Sequence, residues 1–89
     1  MVTLTLASPG VVNWTAHGLP AGSAVVFDSD RALPTGLTAG TTYFVANDER
    51  RTVNTFAVSD TEANALAGTN QINFTGSQSG VHTAWNPAS

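Results

Sequence analysis

His17 and His82 are the only imidazoles in the chain, and imidazole is the side chain best suited to take up a proton, orient a nucleophile or ligate a metal near neutral pH. Neither has a second plausible ligand at the i, i+2 or i, i+4 spacing that would put two donors on one face of a strand or helix. A zinc or iron site would have to be gathered from distant Asp residues, so each histidine is expected to fix a loop by hydrogen bonding instead. Asp28 with Asp30, Asp48-Glu49 and Asp60 with Glu62 are of the right type for paired acid and base roles. All of them fall at strand ends, turns or a helix start, where solvated or capping acids are ordinary. Gly76-Ser77-Gln78-Ser79-Gly80 has the outline of a nucleophile elbow, but the G-x-S-x-G pattern needs Ser where this chain has Gln78. With no Lys in the chain and no strong helix after the glycines, the segment is no phosphate cradle either. It reads as a hairpin loop. No nucleophile, base or metal set converges, so the chain is expected to be non-enzymatic, with neither cofactor nor metal.

Trp14 and Trp85 remain as side chains that could meet a partner. Exposed indoles stack on sugar rings, but a Trp in a small β domain is more often a core anchor or an interface hot spot. Asn13-Trp14-Thr15 and Asn73-Phe74-Thr75 match the glycosylation sequon; both fall inside expected strands of a Thr-rich chain, where chance explains them.

The elements that must position these residues belong to a short chain. Its 89 residues make one domain over 1–89, with no room for a second core. No Cys is present, so stability has to come from an efficient core or from partners, and oligomerisation is the natural remedy. Charged residues make up 10% of the chain, against about 25% in an ordinary soluble domain. A surface dressed in Thr, Ser, Asn and Gly points either to contact with other protein subunits or to a polar, uncharged coat. A net charge of −3 without a basic patch argues against nucleic acid, because phosphate neutralisation needs clustered Lys and Arg. Arg50-Arg51 is the one basic pair, and Asp48-Glu49 precedes it directly. Met1 to Leu6 has no basic start and no continuous apolar stretch, and no apolar run approaches the roughly twenty residues of a membrane helix. Synthesis in a cytoplasm and no membrane partner are therefore expected.

The dominant period is two, interrupted by turn residues, which is the signature of an all-β barrel or sandwich of about seven short strands with one short helix. The expected strands are Val2 to Leu6, Val11 to Thr15, Ala24 to Asp28, Thr42 to Ala46, Thr55 to Ser59, Gln71 to Thr75 and Val81 to Trp85. Ser8-Pro9-Gly10 turns the first into the second. Pro34 is expected at the second position of a type I or II turn, with Gly36 and Gly40 supplying positive φ before Tyr43-Phe44-Val45. The helix is expected over Asp60 to Ala67, with Ser59 and Glu62 forming a capping box and Gly68 a left-handed stop. Ala63, Leu66 and Ala67 would then plug one end of the β-structure.

Pro34, Gly36 and Gly40 leading into Tyr43-Phe44-Val45, with Gly18-Leu19-Pro20-Ala21-Gly22, Trp14, His17-Gly18-Leu19, Asn54-Thr55-Phe56, Gly76 to Gly80 and His82-Thr83, carry a resemblance over nearly the whole chain. The string resembles a β-rich module found repeatedly in tailed-phage virion proteins, one similar in shape to the small β-barrel half-domain of ubiquitin-activating enzymes. The resemblance implies a structural virion protein, most simply a capsid decoration protein that binds the major capsid protein or other virion subunits and stabilises the shell. It further implies a homo-oligomer, with a trimer favoured, and localisation in the virion. The alternative is a tail, baseplate or fibre module, including one that binds a glycan or receptor through Trp85 or the loops. A chain that starts at Met1 and is filled by the module is expected to stand free rather than to be cut from a fibre.

Such a protein would act by adhesion, through strand addition and a wide apolar contact. Val2, Leu4 and Leu6, alternating with Thr, are expected on an edge strand that pairs across a subunit boundary. Asp48, Glu49, Arg50 and Arg51 form either a polar latch at the rim or a solvated hairpin tip with local ion pairs. Trp85 completes the expected interface.

Overall fold

Strand alternation decides which side chains share a face, and a computed structural model, which describes residues 2–87, shows where those faces go. Met1, on which the free-standing expectation rests, lies outside the described residues. In chain order the elements are β1 (Thr3–Thr5), β2 (Val11–Asn13), β3 (Ala24–Ser29), β4 (Thr42–Val45), β5 (Thr55–Phe56), β6 (Val58–Ser59), α1 (Glu62–Ala67) and β7 (His82–Trp85). They form a three-stranded sheet, β1-β2-β5, and a four-stranded sheet, β6-β4-β3-β7, and every pairing is antiparallel. The all-β class and the single short helix expected from the sequence are present.

The two sheets are joined at both seams. At one, the expected strand Thr55 to Ser59 divides at Ala57: β5 pairs with β2 in one sheet and β6 with β4 in the other. Ala57 itself is fully buried and its carbonyl accepts from the Ala46 amide at 2.9 Å. At the other, Val2 forms a lone bridge to His82, and its amide donates to the His82 carbonyl at 3.0 Å. The inner faces, with Phe74 from a connecting segment, supply one hydrophobic cluster that includes Leu4, Val12, Val25, Phe27, Tyr43, Val45, Phe56 and Val58. Burying such side chains is the main favourable contribution to the fold, at about 25 cal/mol per Å² of apolar surface. Tyr43 places its ring 6.0 Å from that of Phe27 and satisfies its hydroxyl by accepting from the Thr38 amide at 2.8 Å, as a buried phenol must.

Gln71 to Thr75 is not a strand of either sheet. Gln71, Phe74 and Thr75 each bridge to a different segment, at Ser59, Ala7 and Thr35. The Ile72 amide donates to Val58 while its carbonyl accepts from Gly10. The segment is thus satisfied one residue at a time as it crosses between sheets, and it delivers the ring of Phe74, 1% exposed, to the core. Gly76 to Gly80 is correspondingly no hairpin loop: β7 pairs with β3, and the loop is a connection running to that sheet's edge.

The helix starts later than expected. Thr61, in extended backbone, is its N-cap and accepts from the Asn64 amide at 3.2 Å, while the Asn64 side chain reaches back to donate to Asp60 Oδ1 at 2.9 Å. Ser59 is unavailable as a cap because it belongs to β6, is fully buried, and donates its hydroxyl to the Thr69 carbonyl at 2.8 Å. Gly68 stops the helix as expected, at φ 71°, a conformation that costs L residues about 1–2 kcal/mol. The face that plugs the structure is that of Ala65, fully buried; Ala63 and Ala67 are exposed, as is Leu66 at 52%.

Pro34 also sits elsewhere. The Leu37 amide donates to the Pro34 carbonyl at 3.3 Å, making Pro34 the first residue of its turn rather than the second. Thr35 exchanges two backbone bonds with Thr75, each 3.0 Å, which holds that stretch extended. Gly40, at φ 80°, occupies the third position of the next turn, Thr38 to Thr41, where a type II turn calls for glycine.

Candidate functional site

The loop between β2 and β3 carries His17, and the ring is tied at both nitrogens. Nδ1 accepts from the Leu19 amide at 2.9 Å, so Nε2 carries the proton, which it donates to the Thr52 carbonyl at 2.7 Å. Its edge meets Phe56 with centroids 4.9 Å apart and planes at 81°. With one nitrogen donating and the other accepting, no lone pair is left for a metal or a substrate proton. His17 holds its own loop to the connection between β4 and β5.

His82 is buried in the second seam, 6% exposed. Its Nε2 lies 2.9 Å from Gln78 Oε1, and Gln78 Nε2 donates to the Leu4 carbonyl at 2.7 Å. Gln78, at the centre of the glycine-flanked loop, therefore works as a clasp between β1 and β7. His82 Nδ1 is buried without a partner among the described residues.

The carboxylates are engaged by backbone and side-chain donors. Asp28 Oδ1 accepts from the Ser29 amide at 2.8 Å, and Asp30 Oδ1 from the Val81 amide at 2.7 Å. Asp48 takes the Arg50 amide on Oδ1 at 2.9 Å, and on Oδ2 both the Arg50 guanidinium, at 2.9 Å, and the Gln71 side-chain amide. Among the described residues no group of three His, Cys, Asp or Glu gathers as a metal site, and no helix is long and apolar enough to cross a membrane.

The residues singled out as an interface do not share one face. Val2 and Leu4 are 3% and 6% exposed and point into the core, leaving Thr3 and Thr5 outward on β1. The outer edge of β1 is met by the Val2–His82 bridge and by Gln78. Leu6, just past β1, is exposed. Asp48, Glu49, Arg50 and Arg51 follow β4, with Asp48 and Arg50 paired and Glu49 and Arg51 solvent-facing. Trp85 lies on the opposite sheet, on its outer face, and is 43% exposed.

That outer face is apolar beyond Trp85. Val25, Phe27, Tyr43 and Val45 point inward, so alternation sends Ala24, Val26 and Phe44 outward. Val26 is directly opposite both Trp85 and Thr42, and Ala24 is opposite Phe44. Helix α1 packs on β4 and β6; Val26 is itself covered, at 6% exposed, Ala24 and Phe44 are half-buried, and Trp85 is the exposed apolar side chain of this face. The sequence carried a signal for this: Ala24 to Phe27 and Tyr43 to Val45 are unbroken apolar runs, and a strand with one wet face should alternate.

A second feature surrounds Trp14, half-buried against Phe56 and His17 at centroid distances of 6.4 and 6.5 Å. Trp14 also lines, with Thr3, Asn13, Thr15, Asn54 and Thr55, a groove of about 430 Å³. Comparison with protein-family models, curated proteins and solved structures finds no match to this chain.

Proposed function

We propose that the chain is a non-enzymatic structural module of a tailed-phage particle, a decoration subunit that binds the major capsid protein or a neighbouring virion subunit and stabilises the shell. The observation that supports this most is the outer face of the four-stranded sheet, where Trp85 stands exposed beside Val26, with Ala24 and Phe44 adjoining. A large exposed indole on the edge strand of an apolar, charge-poor face is the kind of side chain that anchors an interface. The few charged side chains of the chain fit a surface meant to be covered, and the motif resemblance names the kind of particle that covers it. Contact through this face replaces the strand-addition mode, since the outer edge of β1 is already engaged. In this reading the subunits associate as trimers over joints of the shell.

The experiment is co-sedimentation of the purified protein with heads stripped of accessory proteins, and separately with tails, alongside light scattering over a dilution series. Saturable binding to heads that falls at least about tenfold in Trp85→Ala, a loss of ~1.4 kcal/mol, is the expected result. Binding to neither heads nor tails, or binding untouched by the substitution, would overturn the reading. A monomer at every dilution would remove its trimeric part.

A further inference from the structure

For the outer face that carries Trp85, and resting on the reading of that face as a contact surface, we infer the chemistry of the partner: a protein segment that bears an arginine or lysine beside an apolar side chain. The placement follows from register. Trp85 is opposite Val26 and Thr83 is opposite Asp28, and directly opposed residues of an antiparallel pair share a face. Val25 and Phe27 belong to the core, so Val26 and Asp28 point outward with Thr83 and Trp85. Asp28 and Trp85 are thus diagonal neighbours, about 7–8 Å apart. The ladder continues past β7, because the Asp30 amide donates to the Val81 carbonyl at 3.2 Å. Exposure alternates along that strand, with His82 buried and Val81, Thr83 and Trp85 exposed.

The charge beside this stripe has one sign. Asp28 Oδ1 accepts from the Ser29 amide at 2.8 Å and Asp30 Oδ1 from the Val81 amide at 2.7 Å. The second oxygen of each carboxylate has no partner among the described residues. Arg31, Arg50 and Arg51 are the only basic side chains besides the histidines. Arg50 pairs with Asp48 in the loop after β4, and Arg51 follows it there. Arg31 has its stem beside Gly80 and forms no ion pair among the described residues.

An exposed indole with an open carboxylate diagonally beside it is matched by a cationic, partly apolar segment. A guanidinium lies flat on an indole and donates to a carboxylate, and an adjacent apolar side chain meets Val81 or the rest of the indole. A purely apolar partner would strip water from Asp28 without compensation. An anionic partner, nucleic acid included, would be repelled.

The test uses Trp14→Phe, which leaves Trp85 as the only indole, since the chain holds 2 Trp. Its emission is titrated with blocked peptides of alternating Leu-Arg, Leu-Glu and Ser-Arg sequence. The Leu-Arg peptide should bind at least about fivefold more tightly than either of the others at low salt, and lose that margin over Leu-Glu in high salt. Asp28→Asn keeps the oxygen that accepts from Ser29 and removes the charge. It should weaken Leu-Arg binding about fivefold or more with the thermal transition preserved, whereas Glu49→Gln, which removes the same charge from the loop after β4, should change it by less than about twofold. No response to the Leu-Arg peptide, an equal response to either control peptide, or equal effects of the two substitutions would each overturn the inference. Heads and tails do not enter this measurement, so the proposed function stands or falls separately in the co-sedimentation experiment.

Discussion

No Cβ fits between Gly10 and the ring of Phe74: an atom built there would overlap the ring carbons. Gly10 is buried, and its amide donates to the Ile72 carbonyl at 3.0 Å, which ties its backbone to the segment that carries the ring. Gly10→Ala should therefore destabilise the fold by about 1–3 kcal/mol, as overpacking does. Phe74→Leu, which frees room, should cost less in the Gly10→Ala background than alone. Urea unfolding of the four-variant cycle measures this coupling, and strict additivity would show that the strain is relieved elsewhere.

Gln78 is the clasp of the second seam. Gln78→Ala leaves the Leu4 carbonyl and His82 Nε2 without their partner and should cost ~1–3 kcal/mol. Amide exchange at Val2, whose N–H reaches the His82 carbonyl, should quicken, while amides between β3 and β4 keep their protection. Equal acceleration throughout would mean that the seam does not open separately.

The cap of α1 is testable by contrast. Thr61→Ala should lower stability by ~1 kcal/mol, whereas Glu62→Ala, which removes the capping-box acid expected from the sequence, should stay within about 0.5 kcal/mol. Reversed values in thermal unfolding would restore the Ser59 and Glu62 box.

At the loop after β4, the ion pair itself contributes little. The Arg50 side chain is 35% exposed and that of Asp48 15%, so Arg50→Ala should cost no more than ~1 kcal/mol, and less in high salt. Asp48→Ala should cost more, because it also orphans the Arg50 amide and the Gln71 side chain. Unfolding midpoints at low and high salt separate the two contributions.

Much of this structure was legible from residue types because the controlling interactions are local. Gly68 after an alanine-rich segment and Gly40 in a turn are backbone preferences, readable where they stand. What stayed hidden depends on distant partners. Ser59 resembles a cap until β4 and Thr69 claim it, and Gln71 to Thr75 resembles a strand until Ser59, Ala7 and Thr35 each take one residue of it. Val2 and Leu4 alternate as an edge strand would, yet an edge is defined by what lies beside it, here His82 and Gln78. The groove depends on Asn54, far along the chain, whose carbonyl accepts from the Trp14 amide, and no local pattern shows that pairing. His17 fixes its loop as its setting in a turn suggests, with the nearby Leu19 amide on one ring nitrogen and the Thr52 carbonyl on the other.

The strand that closes the four-stranded sheet follows every other strand in chain order. β7 covers β3 along four residue pairs, from Val26–Trp85 to Ser29–His82, and the same His82 holds Val2. Without that strand, β3 and β1 each present an unpaired edge, and the inner side of Phe27 lacks its cross-strand neighbour Ala84. Open edges with apolar flanks recruit other chains. Chains lacking the segment from His82 onward thus carry two uncovered edges that favour aggregation, and the fold is protected only once β7 is in place.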